Sequence, residues 1–429
     1  MYILQSTLQF CRVLCVERLI IMNCNDTIKL IKYMKIYIIG RNMRINNLDI
    51  KGIGGIKQLK LNFCNGFNVI CGANGIGKTT ILNIIADAFA NGEIKLKRNA
   101  ECDEGQYTIQ YFDGEKDIPI HRKIQAFDPR ESKFNLSNDD AKYLLRFDVN
   151  RNYDYIALSG ISSDPKRDKA QNATAIVTGV QANDIKNWFV NRFAFHDKKD
   201  SLSQEEIENY NLAKKMFSVL DETVQFKTVL AKSFDIILST QKGDIYFEYL
   251  SAGYKSCIYI IMGIMKEIEY RFANKPIKIG DFNGCILIDE IEEHLHPSWQ
   301  ADLVNALKKI FPKCQFIVTT HSPSILQSVE KNEIIPLYSN EEHETCVKEL
   351  RLGDYGLQGW SLEEILKDVM DMPSTTSVLY KETIRAFDKA MDDEDVPEIK
   401  RNYEILNKML HPNSTLRKLL QIQMAGLEE

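Results

Sequence analysis

The chain has 429 residues, of which 44% are hydrophobic and 10% aromatic, a composition that excludes an intrinsically disordered chain. Its net charge of −5 excludes a globally basic protein that binds nucleic acid by charge alone, although a local basic face stays open. The ten cysteines are scattered without a CxxC pair, which favours reduced thiols in a cytoplasmic protein over a disulfide or zinc framework.

The first 42 residues carry little structural information. Their most apolar stretch, CRVLCVERLIIM, is interrupted by Glu17 and Arg18 and is shorter than the roughly 18 residues of a membrane-spanning helix. It also lacks the layout of a secretory signal peptide. Regular patterning begins at Met43, so residues 1–42 are predicted to be an extension outside the fold or the result of a misassigned start. No membrane contact is expected.

Residues 43–345 are predicted to form one α/β domain. The stretches RINNLDI and KQLKLNF alternate apolar and polar residues around KGIGGI, which indicates two strands joined by a turn. The runs FNVICG, GCILIDE and CQFIVTTHS are continuously apolar, as in strands buried on both faces of a parallel sheet. The segment KTTILNIIADAFA has apolar residues at helical spacing, so a helix is predicted to follow the first of these strands and its glycine-rich loop.

Two further regions are predicted to be largely helical. An insertion at about residues 130–225 contains NDIKNWFVNRFAF and a second helix with Ser203 and Glu206 placed as a capping box, together with a short strand in DYIALSG. Residues 355–429 are predicted to form a small all-α unit. One of its helices places four apolar residues along a single stripe: Ile399, Tyr403, Leu406 and Leu410. No long heptad run is present in the sequence, which excludes an extended coiled-coil arm.

The loop after FNVICG carries a phosphate-binding pattern. Residues 72–79, GANGIGKT, fit GxxxxGK[ST] between a predicted strand and a predicted helix, the context in which this pattern is informative. Backbone N–H groups of such a loop surround phosphate oxygens, and the helix N-terminus adds a favourable dipole. Lys78 is predicted to reach the β- and γ-phosphates, and Thr79 to hold Mg²⁺. The predicted ATP-binding residues of the loop are Gly72, Asn74, Gly75, Gly77, Lys78, Thr79 and Thr80.

Two later strand ends supply residues suited to hydrolysis. Asp289 and Glu290 end the run CILIDE, where the aspartate is predicted to hold Mg²⁺ and the glutamate to polarise the attacking water. His321 follows IVTT and is predicted to be catalytic, beside the γ-phosphate. Strand-end carboxylates and a lone histidine are more often structural when they occur singly. Their order after the phosphate loop favours the functional interpretation.

The stretch LSAG, residues 250–253, resembles the LSxG signature motif of ABC-type ATPases. All four motifs occur here in the order of that superfamily, which implies an ABC-type P-loop NTPase head with mixed and parallel sheets and flanking helices. In that superfamily the signature motif contacts the γ-phosphate held by the other subunit. The resemblance therefore implies that Ser251 and Gly253 bind ATP in trans, that the chain forms a homodimer or higher oligomer, and that ATP and Mg²⁺ are its cofactors.

The stretch DEIEEHLHP, residues 289–297, resembles the SMC/RecF branch and the OLD nucleases, unlike the transporter ATPases. This resemblance covers about residues 43–340 and implies that residues 294–296 form a loop that touches the partner subunit. A metal role for the two histidines of this loop lacks a third ligand nearby in the sequence. The family also has a magnesium-contacting glutamine, for which Gln125 is the candidate and Gln110 the rival.

The C-terminal stretch that begins YGLQGWSLEEILKDVM, together with the compact middle, resembles the ATPase subunit (PtuA-like) of Septu-type anti-phage defence systems, which also occurs beside retrons. That resemblance implies a separate HNH-type nuclease subunit as partner, and DNA is a further candidate partner. Residues 355–429 are predicted to bind the partner, because amphipathic helices outside an enzymatic core need a surface to bury against; the alternative is that they pack on the ATPase core itself. A nuclease site within the chain is not expected. The acidic run at residues 392–395 lies between helices, and His343 and His411 stand alone.

Two other functions fit the same motifs. A RecF- or SMC-like DNA repair ATPase would bind gapped DNA ends and dimerise with ATP, without a nuclease partner. A nucleotide-bound assembly scaffold would hydrolyse ATP slowly, and its Glu290→Gln variant would keep full biological activity. The main prediction is an ATP-hydrolysing defence subunit that gates a separate nuclease.

Overall fold

The computed structural model of the protein describes residues 42–131, 138–149, 151, 155–372 and 374–426. Apart from Asn42, the predicted N-terminal extension lies outside the described residues. The chain divides into two compact units, of which the first ends at Ile365 and the second begins at Leu366.

The strands of the first unit form three sheets. Their bounds are β1 Arg44–Ile53, β2 Ile56–Asn62, β3 Phe67–Gly72, β4 Gly105–Phe112, β5 Asp117–Ile124, β6 Leu144–Phe147, β7 Gln225–Val229, β8 Ile236–Thr240, β9 Gly243–Tyr246, β10 Cys285–Ile288, β11 Gln315–Thr320, β12 Ile334–Ser339 and β13 Thr345–Val347.

The central sheet has six strands in the order β13-β12-β3-β11-β10-β6 and is parallel except for β13. Strands β3, β10 and β11 are buried along their whole length, as expected for apolar strands covered on both faces. Their identity with the runs FNVICG, CILI and QFIVTT confirms the predicted α/β fold. Because β3, β11 and β10 are neighbours, their carboxyl ends lie side by side at one edge of the sheet.

Two antiparallel sheets complete the first unit. Strands β2-β1-β4-β5 form a four-stranded sheet in which Ile53 pairs with Ile56 across the turn between β1 and β2. Strands β7-β8-β9 form a three-stranded sheet. Strands β8 and β9, within FDIILST and DIYFEYL, form an antiparallel hairpin; β9 stops at Tyr246, and Phe247–Tyr249 form a 3₁₀ turn that leads into the signature motif.

The helices cover the sheets and build the second unit. Their bounds are α1 Lys78–Phe89, α2 Lys169–Thr178, α3 Asn183–Phe195, α4 Gln204–Met216, α5 Ala252–Arg271, α6 Pro297–Ile310, α7 Pro323–Gln327, α8 Leu362–Glu364 with a π-helical turn at Ile365–Val369, α9 Val378–Asp392, α10 Val396–Met409 and α11 Thr415–Ala425. Among the described residues, no helix is both long enough and apolar enough to cross a membrane.

Helix α5 runs through the interior of the first unit, and nearly all of its residues are buried. Its charged side chains are paired, because an isolated buried charge is costly. Glu267 lies 3.1 Å from the Lys266 ammonium and 3.2 Å from Arg271, and it also pairs with Arg167. Glu269 accepts hydrogen bonds from Trp188, Arg192 and Asn209 in the same way.

The predicted insertion at about residues 130–225 is helical only in part. Helices α2, α3 and α4 lie within it, and the capping box of Ser203 and Glu206 at the start of α4 is confirmed. Strand β6 falls in the same range but belongs to the central sheet, because its apolar residues pair in parallel with β10. The strand predicted in DYIALSG is wrong over residues 155–160, which are irregular.

The second unit is a small helical assembly, as the periodicity predicted, and it begins at Leu366 compared with the predicted boundary at residue 355. Its core is formed by Phe387, Ala390, Ile399, Leu406, Leu420 and Met424 from helices α9 to α11. Tyr403 and Leu410 pack against this core, so the stripe of α10 faces its neighbours. Ser361 and Glu364 form a capping box ahead of the boundary.

Candidate nucleotide-binding site

The carboxyl ends of β3, β10 and β11 surround a cavity of about 420 Å³. Its lining residues are Asn74, Gly75, Gly77, Lys78, Thr79, Thr80, Asp289, Glu290, Thr319 and His321. Three separate stretches of sequence therefore meet at one place, and only Thr319 of this set was not predicted from the sequence. The volume falls in the range of pockets that bind small molecules.

The glycines of the loop are required by its backbone. Gly72, Gly75 and Gly77 have φ angles of 140°, 77° and 103°, in the region that side chains disfavour. A Cβ atom at residue 72 would also lie 2.3 Å from the carbonyl oxygen of Leu337 on the neighbouring strand. Helix α1 begins directly after Gly77 without a side-chain cap, so its first N–H groups are available to an anion.

Lys78 lies inside the loop that it belongs to. Its ammonium donates hydrogen bonds of 2.9 Å to the carbonyl oxygens of Gly72 and Ala73. Burial lowers the pKa of Lys78, while nearby acidic groups, among them Glu290, act in the opposite direction. The cation is thus already placed where a phosphate chain wrapped by the loop would meet it.

Thr79, Asp289 and Thr319 form a connected group of oxygen atoms. The Thr79 hydroxyl donates to the Asp289 carboxylate, with distances of 2.9 and 3.1 Å to its two oxygens. The Thr319 hydroxyl donates to the same carboxylate and accepts a 2.7 Å hydrogen bond from the backbone N–H of Glu290. A hydroxyl beside a carboxylate at the edge of a phosphate loop is the donor set that Mg²⁺ takes in such sites, so these residues fit the ion.

Glu290 has a strained backbone and an unusual electrostatic environment. Its φ angle is 46°, which is uncommon for a residue with a side chain and frequent at functional sites. The buried guanidinium of Arg151 holds this turn by donating to the carbonyl oxygens of Asp289 and Glu290. Burial, together with the negative charges of Asp289 and Glu293, raises the pKa of the Glu290 carboxyl. Glu290 is therefore a better proton acceptor than an exposed glutamate.

His321 is held through its backbone by Glu292. One oxygen of the Glu292 carboxylate accepts a hydrogen bond from the His321 N–H, and the other accepts a 2.7 Å hydrogen bond from the Thr320 hydroxyl. Burial and the nearby Lys78 charge lower the pKa of the His321 imidazole. The imidazole is therefore neutral at pH 7, with one nitrogen able to donate a hydrogen bond.

Three residues of the site were missed in the sequence. Thr319 and Glu292 lie next to predicted residues, in TTHS and DEIEE, but nothing in those strings distinguishes them from ordinary neighbours. Arg151 has no local signal, because its contacts with Asp289 and Glu290 span 138 and 139 positions of the chain.

The signature residues do not line this cavity in the same chain. Ser251 is exposed, and its hydroxyl caps α5 by accepting a hydrogen bond from the N–H of Tyr254. Gly253 is buried against the segment after Glu290, and a Cβ atom there would lie 2.6 Å from the carbonyl oxygen of His294. Ser256 donates a 3.1 Å hydrogen bond to the carbonyl of Glu293. Residues 250–253, the signature turn, and the start of α5 therefore pack directly against residues 293–295.

The structure does not bring the candidate glutamines into the cavity. Gln125 lines a different pocket, together with Asp87 and Leu96, and the side chain of Gln110 accepts a 2.9 Å hydrogen bond from Asn47. In the HLHP segment, His296 caps α6 and lies 2.8 Å from the Ser298 hydroxyl, as expected for a helix start.

Comparison with known proteins agrees with these motifs. A family model described as an AAA ATPase domain matches residues 43–219 and 194–326. The chain is 44% identical over 390 residues to the Septu protein PtuA of Bacillus thuringiensis, across 89% of this chain and 98% of that protein. It is 32% identical over 133 residues to the retron Ec83 probable ATPase of Escherichia coli, across 31% of this chain and 24% of that protein.

Among solved structures, the SMC head bound to the C-winged helix domain of ScpA has a TM-score of 0.41 and 17% identity, covering 71% of this chain and 97% of that one. The sheet, the phosphate loop and the strand-end carboxylates define a P-loop ATPase, and the chain belongs to the AAA ATPase domain family. Within that class, it is a member of the family of the Septu protein PtuA.

Proposed function

We propose that the chain is the Mg²⁺-dependent ATPase subunit of an anti-phage defence complex, that it pairs head to tail over ATP, and that it gates a separate HNH-type nuclease. The observation that supports the ATPase activity is the meeting of Lys78, Asp289, Glu290 and His321 at one cavity. The relationship to the Septu protein PtuA supports the assignment to defence.

Each residue that lines the cavity has its own role in the proposed hydrolysis. The N–H groups of the loop and the Lys78 ammonium bind the phosphates, and Thr79 and Asp289 would hold Mg²⁺, which would neutralise phosphate charge. Glu290 accepts a proton from the attacking water, consistent with its raised pKa. His321 donates a hydrogen bond to the γ-phosphate, for which its neutral imidazole is suited.

The signature turn supplies the second half of the site. Ser251 is exposed at the N-terminus of α5 and lies outside the cavity of its own chain. A residue that contacts the nucleotide of another subunit has to be exposed in this way. In the proposed pair, Ser251 and Gly253 of each subunit face the nucleotide bound by Lys78 of the other. ATP binding closes the pair, and hydrolysis through Glu290 releases it.

The partner follows from the same relationship. We propose that residues 355–429 bind the nuclease subunit, that the complex acts on DNA, and that it works in the cytoplasm. The described residues supply the ATPase site, and the nuclease chemistry belongs to the other protein.

A pull-down from the native operon tests this proposal. The tagged chain is purified, co-purifying proteins are identified, and DNA cutting is measured with and without ATP. We expect an HNH-type protein whose cutting depends on nucleotide, and a Glu290→Gln variant that binds ATP but does not hydrolyse it. A lone dimer that hydrolyses ATP, binds DNA and recruits nothing would contradict the gating role.

A further inference from the structure

The ammonium of Lys186, on helix α3, is buried where four segments of the first unit meet. It donates hydrogen bonds of 2.6 Å to Asp235, 2.8 Å to Glu248 and 2.9 Å to the carbonyl oxygen of Ile156. It also lies 4.6 Å from the centre of the Tyr155 ring. A single side chain of the inserted helices thus joins the irregular segment at 155–156, the start of β8 and the turn that precedes the signature motif.

The Lys186 ammonium and its two carboxylate partners are all charged at neutral pH, which strengthens their hydrogen bonds. Burial alone would lower the pKa of Lys186, but its hydrogen bonds and charge interactions with Asp235 and Glu248 outweigh burial and raise the pKa. Lys186 is therefore cationic at neutral pH. The buried carboxylate of Asp235 and the partly buried carboxylate of Glu248 share this cation, so removing either one leaves the other paired, whereas removing the cation leaves both without compensation.

Glu248 links the ammonium to the signature turn. It lies in the 3₁₀ turn Phe247–Tyr249, three residues before Ser251. Its backbone carbonyl accepts a 3.2 Å hydrogen bond from Lys255, in the first turn of α5. The 3₁₀ turn is therefore held in two places. Lys186 of α3 binds the Glu248 side chain, and Lys255 of α5 binds the Glu248 backbone carbonyl.

The Glu248 side chain borders a small cavity. A small cavity of about 30 Å³ is lined by Lys186, Glu248 and Lys255 together with apolar side chains. The second carboxylate oxygen of Glu248 is buried and has no hydrogen-bond partner among the described residues. Among the described residues, Lys186 is thus the hydrogen-bond donor that orients the Glu248 carboxylate, while Phe247 of the same turn packs against Phe217.

We infer that Lys186, acting through Glu248, is a positioning residue for the signature turn, so that a displacement of α3 changes the half-site that Ser251 and Gly253 offer to a second subunit. This inference rests on the proposed function. The inserted helices α2 to α4 contribute no residue to the phosphate cavity. The Lys186–Glu248 contact would let them affect the rate of ATP hydrolysis nonetheless. A partner or ligand that moves α3 would then regulate hydrolysis without touching the nucleotide.

The two carboxylates on the same ammonium provide a matched pair of variants. Glu248→Gln weakens the bond from Lys186 to the signature turn and leaves the bond to Asp235. Asp235→Asn removes the same amount of charge just before β8 and leaves the bond to Glu248. Both variants keep the shape of the side chain and one full ion pair, so both are expected to fold and to lose similar thermal stability.

The experiment measures kcat, KM and the affinity for a fluorescent ATP analogue in the full-length chain, with the thermal midpoint as a check. We expect Glu248→Gln to lower kcat by roughly tenfold or more, with analogue affinity unchanged, because only the trans half-site is displaced. Asp235→Asn is expected to keep kcat near that of the wild type. Equal kcat losses in the two variants, or an unchanged kcat in Glu248→Gln, would overturn the inference. Absence of turnover in the wild type itself would instead overturn the proposed function, and the inference with it.

Discussion

Thr319 connects the Asp289 carboxylate to the backbone of Glu290, the two residues that the proposed chemistry needs at the end of β10. Its hydroxyl donates to Asp289 and accepts from the N–H of Glu290, at the point where Glu290 has a φ angle of 46°. Lys78 and Asp289 were predicted because each belongs to a string of residues with a known chemical use. Thr319 was not, because its role depends on β11 lying beside β10, a contact between strands that are far apart in sequence.

Replacing the Thr319 hydroxyl should impair hydrolysis and spare binding. In Thr319→Val, the shape is kept, but both hydrogen bonds are lost, and the strained turn at Glu290 is held only by the Arg151 hydrogen bonds to the carbonyl oxygens of Asp289 and Glu290. We expect kcat to fall by roughly ten- to a hundredfold with little change in the affinity for an ATP analogue. Steady-state ATP hydrolysis and fluorescence titration measure the two quantities. Thr319→Ser keeps the hydroxyl and should stay close to the wild type, whereas wild-type turnover in the valine variant would show that the contact is dispensable.

At the scale of elements, the order of strands and helices was more predictable than their ends. FNVICG, CILI and QFIVTT are recognisable as buried strands because nothing polar interrupts them. Strand β6 was absorbed into the predicted helical insertion, because its four residues carry no periodicity of their own and become a strand only by pairing with β10. Residues 155–160 show the opposite case, in which an apolar stretch finds no neighbouring strand.

The close approach of α5 to the 293–295 segment gives a second prediction. An alanine at Gly253 would suit the helix, where alanine is the better residue, but its Cβ atom would lie 2.6 Å from the carbonyl oxygen of His294. We therefore expect Gly253→Ala to push the signature turn away from this segment and to lower kcat, with the binding of an ATP analogue at Lys78 retained. A variant with wild-type kcat and a raised thermal midpoint would mean that only helix propensity had changed.

The buried charges of α5 predict a dependence of stability on pH. The cations of Lys266, Arg271 and Arg167 outweigh the effect of burial and lower the pKa of Glu267 from 4.5 to about 2. An acid with a depressed pKa stabilises the fold in full above its ordinary pKa, and this contribution is lost as the pH falls from 4.5 towards 2. A shift of this size corresponds to roughly 3 kcal/mol at neutral pH.

Glu267→Gln should therefore lower the thermal midpoint strongly at pH 7, and the difference from the wild type should shrink as the pH falls below 4.5. Calorimetry of both proteins between neutral and acidic pH measures this difference. The exposed pair of Lys227 and Asp244 provides the control, since Asp244→Asn removes a carboxylate from a solvated ion pair and should change the midpoint little at any pH. A pH-independent difference for Glu267→Gln would show that lost packing, and not charge, causes the effect.

At the scale of the whole molecule, the sequence predicts a helical unit from residue 355, because helical periodicity there replaces the strand patterns before it, and the chain divides into two units between Ile365 and Leu366. The arrangement of subunits has no such signature within one chain. Its sequence traces are two resemblances, of LSAG to a motif that acts in trans and of HLHP to a loop that touches the partner subunit, and the structure adds that Ser251 lies outside the cavity of its own chain. The pairing of subunits therefore needs a test in which the two halves of a site come from different molecules.

Mixing two inactive variants provides that test. Lys78→Ala disables the phosphate loop, and Ser251→Arg disables the signature half-site. In a mixed pair, one nucleotide site combines the intact Lys78 of one subunit with the intact Ser251 of the other, and the second site carries both defects. An equal mixture should therefore recover about one quarter of the wild-type ATP turnover if subunits exchange freely and the sites act independently. A mixture of Lys78→Ala and Glu290→Gln is the matched control. Both residues line the cavity of their own chain, so each nucleotide site of a mixed pair carries one of the two defects and the mixture should recover no turnover. Recovery in neither mixture, from subunits that do exchange, would mean that Ser251 serves the phosphate loop of its own chain or none.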